Sequence, residues 1–499
     1  MGRLFRDRGL RRARIVSRES EPTMSDQFVE PAASVPALPN FRTIALIVAS
    51  AMFMEQLDAT VLATALPTMA RDFGVSPPAM SIALTSYLLS LAIFIPASGK
   101  IADRFGSRTV FRSAIAVFVM GSIFCALAPN LTLLVVARLV QGLGGAMMLP
   151  VGRLVLMRSV ERKDLVSAMS WLLVPALVGP ILGPPIGGMF VTYLDWRWIF
   201  YINVPIGVAG FVLVSVFIKE VKGPTRSSFD VIGFVLSGIS LGSLLFGFEM
   251  TSRTGEAWLA ATLIVTGIVF GVTYLRYART RTAPIMDFSL MGVRTFRTSV
   301  IAGSLTRITQ GAQPFLIPLM LQLGFGYSAA AAGRISIATA LGSLTMKAFQ
   351  GPILRRVGFR NGLIAFGLIG TLGYGSCALL RPDWPVPVIF GIMYLSGFFM
   401  SFQFTSYSTI AYDEIPADRM SAATSFYTTF QQLMLSLGIC VGALALHTSI
   451  HLSGRLHAQL SDFSVAFVVV ALISLTATWW NMSFSRTAGA EISGHRRTG

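Results

Sequence analysis

Gly99-Lys100-Ile101-Ala102-Asp103-Arg104-Phe105-Gly106-Ser107-Arg108 is a short cationic stretch set between two long apolar runs. A reversal in so few residues calls for glycine, which alone enters left-handed backbone angles without a steric penalty. Asp103, an acid among Lys100, Arg104 and Arg108, can take different partners in two conformations. The spacing returns at Gly351–Arg360, GPILRRVGFR, again after an apolar run, with Arg355 where the first copy has Asp103. A turn repeated between two halves of an apolar chain marks a membrane protein built from two related bundles.

The rest of the chain agrees. Of 499 residues, 54% are hydrophobic and 13% are charged, with a mean hydropathy of +0.67. Soluble domains are about 25% charged, so a water-soluble fold is excluded. A bilayer core about 30 Å thick requires about 20 apolar residues per helix. Fourteen such runs can be counted, which places both termini on one side. Most of the 40 Lys and Arg residues fall in the tails and loops of that side, so both termini are expected to be cytoplasmic. This asymmetry accounts for the net charge of +17 without nucleic acid, whose binders gather their cations on one face. Cys125, Cys377 and Cys440 each lie in an apolar run with no metal-ligand or disulfide spacing, and the four histidines, assigned to an outer loop and a tail, suggest no metal. Residues 1–41, with Arg3, Arg6, Arg8, Arg11, Arg12, Arg14 and Arg18, are expected to form a disordered cytoplasmic tail; Met24 is a second candidate start.

Charges inside apolar runs are functional candidates, because each costs several kcal/mol unless it faces a cavity or a partner. Arg138 and Gln141 share one face of the fourth run, beside Gly142, Gly144 and Gly145, which allow close helix approach. Glu55 and Asp58 share a face of the first run, where desolvation and mutual repulsion favour the neutral acid for at least one of them. In the fifth run Gly179, Gly183 and Gly187 form a stripe of small residues, joined by Gly188 and the kinking Pro180 and Pro184.

These segments resemble the major facilitator superfamily: the GxxADRxGxR loop at Gly99–Arg108, RxxQGxG at Arg138–Gly144 and GPxLGPxxGG at Gly179–Gly188. The last is similar to the antiporter signature that separates exporters from uptake carriers. Leu57-Asp58-Ala59-Thr60 with Ala65-Leu66-Pro67, and WRWIFYINVPIG at 196–207, look like the fourteen-span drug:proton antiporters. Arg307-Ile308, Pro314-Phe315, Leu321-Gln322 and Leu341-Gly342-Ser343 through Lys347 resemble its MdtD-like multidrug-resistance subgroup.

The resemblance implies an all-α major facilitator fold: a six-helix bundle over 42–218, two additional helices with linkers over 219–298, a second bundle over 299–483 and a tail over 484–499. It implies proton coupling at Asp58, Glu55 and Arg138. Gating falls to Gly99, Asp103, Arg104, Gly106, Arg108, Gln141, Gly142, Gly179, Pro180, Gly183, Pro184, Gly187 and Gly188. Phe53, Tyr87, Trp171, Arg307, Gln310, Gln313, Phe315, Phe404, Tyr407 and Gln431 are candidate substrate-cavity residues. Arg307 is expected to neutralise Glu55 or Asp58 across the bundles, or else to hold an anionic substrate. Asp230, Glu249 and Asp287, near span ends, are expected to be solvated. The expected activity is export of drugs or other amphipathic small molecules across the bacterial inner membrane in exchange for protons. The alternative is an organic acid or metal-chelate anion. With no catalytic domain and no Walker loop, neither an enzyme nor a cofactor is expected.

Overall fold

The computed structural model describes residues 41–160, 165–221, 229–251, 257–281, 284–416, 419–455 and 457–493; the side chains of 41, 165–170 and 172–177 lie outside this description, as does most of the basic tail. Among the described residues the structure is helical, without strands. Its long helices are α1 (Phe41–Val61), α2 (Ser81–Phe105), α3 (Ser107–Ala126), α4 (Leu131–Ser159), α5 (Leu165–Tyr193), α6 (Asn203–Phe217), α7 (Val231–Met250), α8 (Ala257–Ala278), α9 (Arg294–Leu319), α10 (Ala329–Gly375), α11 (Val386–Ile410), α12 (Met420–Leu452) and α13 (Leu460–Asn481). Eleven stretches are long and apolar enough to cross a membrane, against the fourteen expected. One of the eleven, Ala329–Leu379, runs for 51 residues and is broken at Gly358. The 26-residue α9 is absent from the eleven because Arg294, Arg297, Arg307, Gln310 and Gln313 dilute its apolar character.

The repeated turn is present in the backbone. Gly106, between α2 and α3, has φ 96°, and Gly358, at the corresponding position of the second copy, has φ 76°. Both angles lie where L side chains are strained, which is why each copy keeps glycine at its eighth position. Around Gly106 the loop clamps the segment that leaves α6. Ser107 N–H donates to the Val221 carbonyl at 3.1 Å, and the amides of Arg108 and Thr109 donate to the Glu220 carboxylate at 3.1 and 3.0 Å. Asp103 pairs with Arg158 at 2.6 Å, and Arg158 also donates to the Val221 carbonyl. Gly106→Ala is therefore expected to destabilise the protein by about 1–2 kcal/mol through backbone strain and a clash with Glu220, measured as a lower midpoint of thermal unfolding in detergent.

Small residues decide how the helices pack. A Cβ at Gly179 would lie 2.8 Å from the Gln56 Cβ, and those at Gly183 and Gly187 would strike Thr60 and Thr64, so the predicted stripe of α5 lies against α1. A different face of α5 meets α10: Gly188 abuts Ala329, and Gly333 abuts Pro184. The α3–α4 contact is equally close, with Gly121 against Gln141 and Gly144 against Phe118. Among the helices after α8, α9 packs on α12 and α13, and α10 on α11. The two sets meet where α5 lies on α10 and α2 on α12. Helices α7 and α8 pair with each other, and α7 touches both α2 and α12. The outward faces of α7 and α8 are apolar, with Val231, Ile232, Val265 and Ile268 exposed, as suits contact with lipid chains.

Candidate functional site

A buried polar cluster is assembled from five helices, α1, α2, α3, α4 and α6. Asp58 on α1 and Arg138 on α4 are each about 1% exposed and form an ion pair of 2.6 Å. Arg138 Nη1 also donates to Gln141 Oε1 at 2.6 Å, and its Nε to the Ala83 carbonyl at 3.0 Å. Gln141 Nε2 donates to Asp58 Oδ1 at 2.8 Å and to Ser122 Oγ at 2.8 Å. Asn203 Nδ2, from the first turn of α6, reaches the same Asp58 oxygen at 2.9 Å. The guanidinium of Arg138 lies 4.4 Å from the ring centroid of Tyr87. The three-residue spacing of Arg138 and Gln141 lets one face of α4 address both oxygens of one carboxylate. Asn203 and Ser122 were not legible as partners, since neither type signals a charge site; the only hint was a polar side chain inside an apolar run.

Glu55, one turn before Asp58, is buried and makes no hydrogen bond or ion pair among the described residues. Two carboxyl groups on one face of α1 thus have unlike surroundings. One is held by a cation and two amides, and the other is unheld. Such a pair can divide the tasks of charge balance and proton exchange.

Arg307 is placed differently from the favoured expectation. It pairs with neither Glu55 nor Asp58, because Arg138 already occupies Asp58. Its Nη2 donates instead to Tyr427 Oη at 2.8 Å and Gln431 Oε1 at 3.3 Å, and it lies over the rings of Tyr427 and Phe404. Its Nε is buried without a partner. Tyr427 was missed, and only proximity across α9 and α12 reveals it.

A cavity of about 300 Å³ opens between α1, α5, α9 and α10. Gln56, Thr60, Gln313 and Lys347 line it, together with Pro180 and Pro184 of α5. The amide nitrogen of Gln313 and the hydroxyls of Ser336 and Thr339 have no partner in the protein, so three buried polar atoms remain for a bound molecule. Of the predicted cavity residues Gln313 lines this space, whereas Phe315 and Tyr407 are core residues, Tyr407 donating to Asn481 Oδ1 at 2.7 Å. Tyr87 is buried against Arg138, Gln310 bonds the Met400 carbonyl, and Phe53 is half-buried. Trp171 is exposed on α5 and joins none of these groups.

Two further expectations, on Glu249 and on the histidines, are corrected. Glu249 is not solvated: it is 2% exposed, with hydrogen bonds from Ser81 of α2 and, at 3.2 Å, from the Cys440 thiol of α12, because α7 slots between those helices. Asp230 caps α7 by accepting from Gly233 N–H, and Asp287 is paired with Arg419 at 2.6 Å. His447 and His451 lie on the last turns of α12, not in a loop.

A buried ion-pair network, helices joined through glycine contacts and a cavity between them are features that suit a membrane transporter. Residues 48–439 match the family described as the Major Facilitator Superfamily, and the chain belongs to that family. It is 36% identical over 442 residues, 88% of this chain and 91% of the relative, to the "Putative multidrug resistance protein MdtD" of Escherichia coli O157:H7 (strain EC4115 / EHEC), and equally to that of Shigella flexneri. Among solved structures it is similar in fold to the POT family transporter PepTSo, with a TM-score of 0.65 and 13% identity, covering 92% of this chain and 100% of that one. A bacterial homologue of the human lysosomal transporter Spinster, inward-facing and unoccupied, gives a TM-score of 0.60 at 13% identity, covering 94% and 100%.

Proposed function

We propose that this protein exports drugs or other amphipathic small molecules across the bacterial inner membrane in exchange for protons, by alternating access. The observation that carries the reading is the Asp58 carboxylate, held by Arg138, Gln141 and Asn203 where α1, α4 and α6 converge. Protonation of Asp58 removes the charge that Arg138 balances, and protonation of Glu55 removes a second buried charge one turn away, so a proton changes which arrangement of the helices is favoured. Drug export is supported by the multidrug-resistance relatives.

The chain then spans fourteen times with both termini cytoplasmic. The expected bundles over 42–218 and 299–483 flank the pair over 219–298, and the break at Gly358 divides the long α10 into two spans. With that orientation the α5–α10 contact closes the outer side, and the protein faces the cytoplasm. The signature loop from Gly99 to Arg108 acts with Gln141, Gly142 and the α5 glycines as the gate.

Export of an organic acid or a metal-chelate anion is a second reading. It is favoured by Arg307, whose partners among the described residues are neutral, and by Lys347, the single charged side chain on the cavity wall. Inverted vesicles test both. Uptake of a cationic dye or of an organic acid is expected to stop when a protonophore collapses the gradient. Uptake that persists unchanged overturns proton coupling, and the transported probe selects between the readings.

A further inference from the structure

A second cavity, of about 690 Å³, lies where the end of α8 and the linker after it approach the start of α12. Arg279, Arg281 and Arg419 line it together with Asp287, and Leu275 and Phe288 form an apolar wall. The cations are unequally used. Arg419 is consumed by its 2.6 Å pair with Asp287. Burial acts against the charge of Asp287, yet hydrogen bonds from Ser289 and Arg419 outweigh it and hold the carboxyl below its usual pKa. Arg279 and Arg281 are exposed and have no carboxylate within ion-pair distance among the described residues. Arg281 is steadied over the ring of Tyr277 at 4.8 Å, whose hydroxyl is tied to Asp230 at 2.7 Å. The cavity therefore carries two unspent guanidinium groups, one of them fixed by its neighbours.

What leads to the cavity identifies the occupant. Val265, Ile268, Val269, Val272 and Leu275 are all exposed on α8, and their spacing of three and four places them on one face. That stripe runs along the helix and ends at Arg279. An apolar track long enough for an acyl chain, ending at unpaired arginines at the edge of a membrane span, matches an amphiphile and not a free ion.

We propose that this cavity binds the phosphate headgroup of an anionic membrane phospholipid, with the acyl chains along the exposed stripe of α8. The lipid headgroup is then held by Arg279 and Arg281 at the end of α8, beside the start of α12, where Arg419 stays paired with Asp287. Nothing in this assignment depends on proton coupling or on the exported substrate.

Native mass spectrometry of the full-length protein, titrated in detergent with phosphatidylglycerol or phosphatidylcholine, tests it. The wild type is expected to bind phosphatidylglycerol more tightly. Arg279→Gln with Arg281→Gln is expected to raise its Kd at least about tenfold and to leave phosphatidylcholine unchanged. Arg356→Gln with Arg486→Gln removes two exposed cations elsewhere and is expected to change nothing. An unaltered Kd in the first double variant, or an equal rise in the second, overturns the site. Inorganic phosphate binding as tightly as phosphatidylglycerol overturns its assignment to lipid.

Discussion

Asp58→Asn will reduce gradient-driven transport about a hundredfold or more while leaving the protein folded. The asparagine keeps a carbonyl oxygen for the amides of Gln141 and Asn203, which reach Asp58 Oδ1 at 2.8 and 2.9 Å. It cannot take up or release a proton, and it presents an amide where Arg138 Nη1 now meets a carboxylate oxygen at 2.6 Å. Uptake into inverted vesicles, compared with the unfolding temperature in detergent, separates lost chemistry from lost structure. Full activity in this variant would move the proton site to Glu55, one turn away on the same face and unheld by any hydrogen bond among the described residues.

Arg138→Leu will destabilise the protein by about 3–5 kcal/mol, because it strands a buried carboxylate without its cation. Stabilisation from the Tyr87 ring, 4.4 Å from the guanidinium, is lost with it. Adding Asp58→Asn removes the stranded charge, so the double variant is expected to regain at least half of that stability without regaining transport. A double-mutant cycle of unfolding free energies measures the coupling. A double variant no more stable than Arg138→Leu alone would show that the ion pair does not hold these helices together.

Much of this site was legible from residue type and position. Asp58 and Arg138 announced themselves because an isolated charge in an apolar run has no inexpensive environment. Gly106 and Gly358 did so because one turn recurs at one spacing, and both adopt the positive φ that glycine permits. The stripe Gly179, Gly183 and Gly187 implied a close helix neighbour, but only its contacts with Gln56, Thr60 and Thr64 show that the neighbour is α1.

Partner choice was beyond the reach of the chain. Arg307 looked like a mate for Glu55 or Asp58 on charge alone, yet Arg138 lies within 2.6 Å of the Asp58 carboxylate and Arg307 turns to Tyr427 and Gln431. Glu249 looked solvated beside a span end, but α7 is inserted between α2 and α12, which buries it against Ser81 and Cys440. The sequence by itself determined the membrane class, the all-helical architecture, the repeated turn and which charges needed an explanation. These depend on local composition and periodicity, which bilayer thickness and backbone hydrogen bonding convert directly into helices. The tertiary structure alone decided which charge meets which and where a cavity is left open. Those pairings join residues as much as 191 positions apart, and their distances follow from how helix surfaces pack.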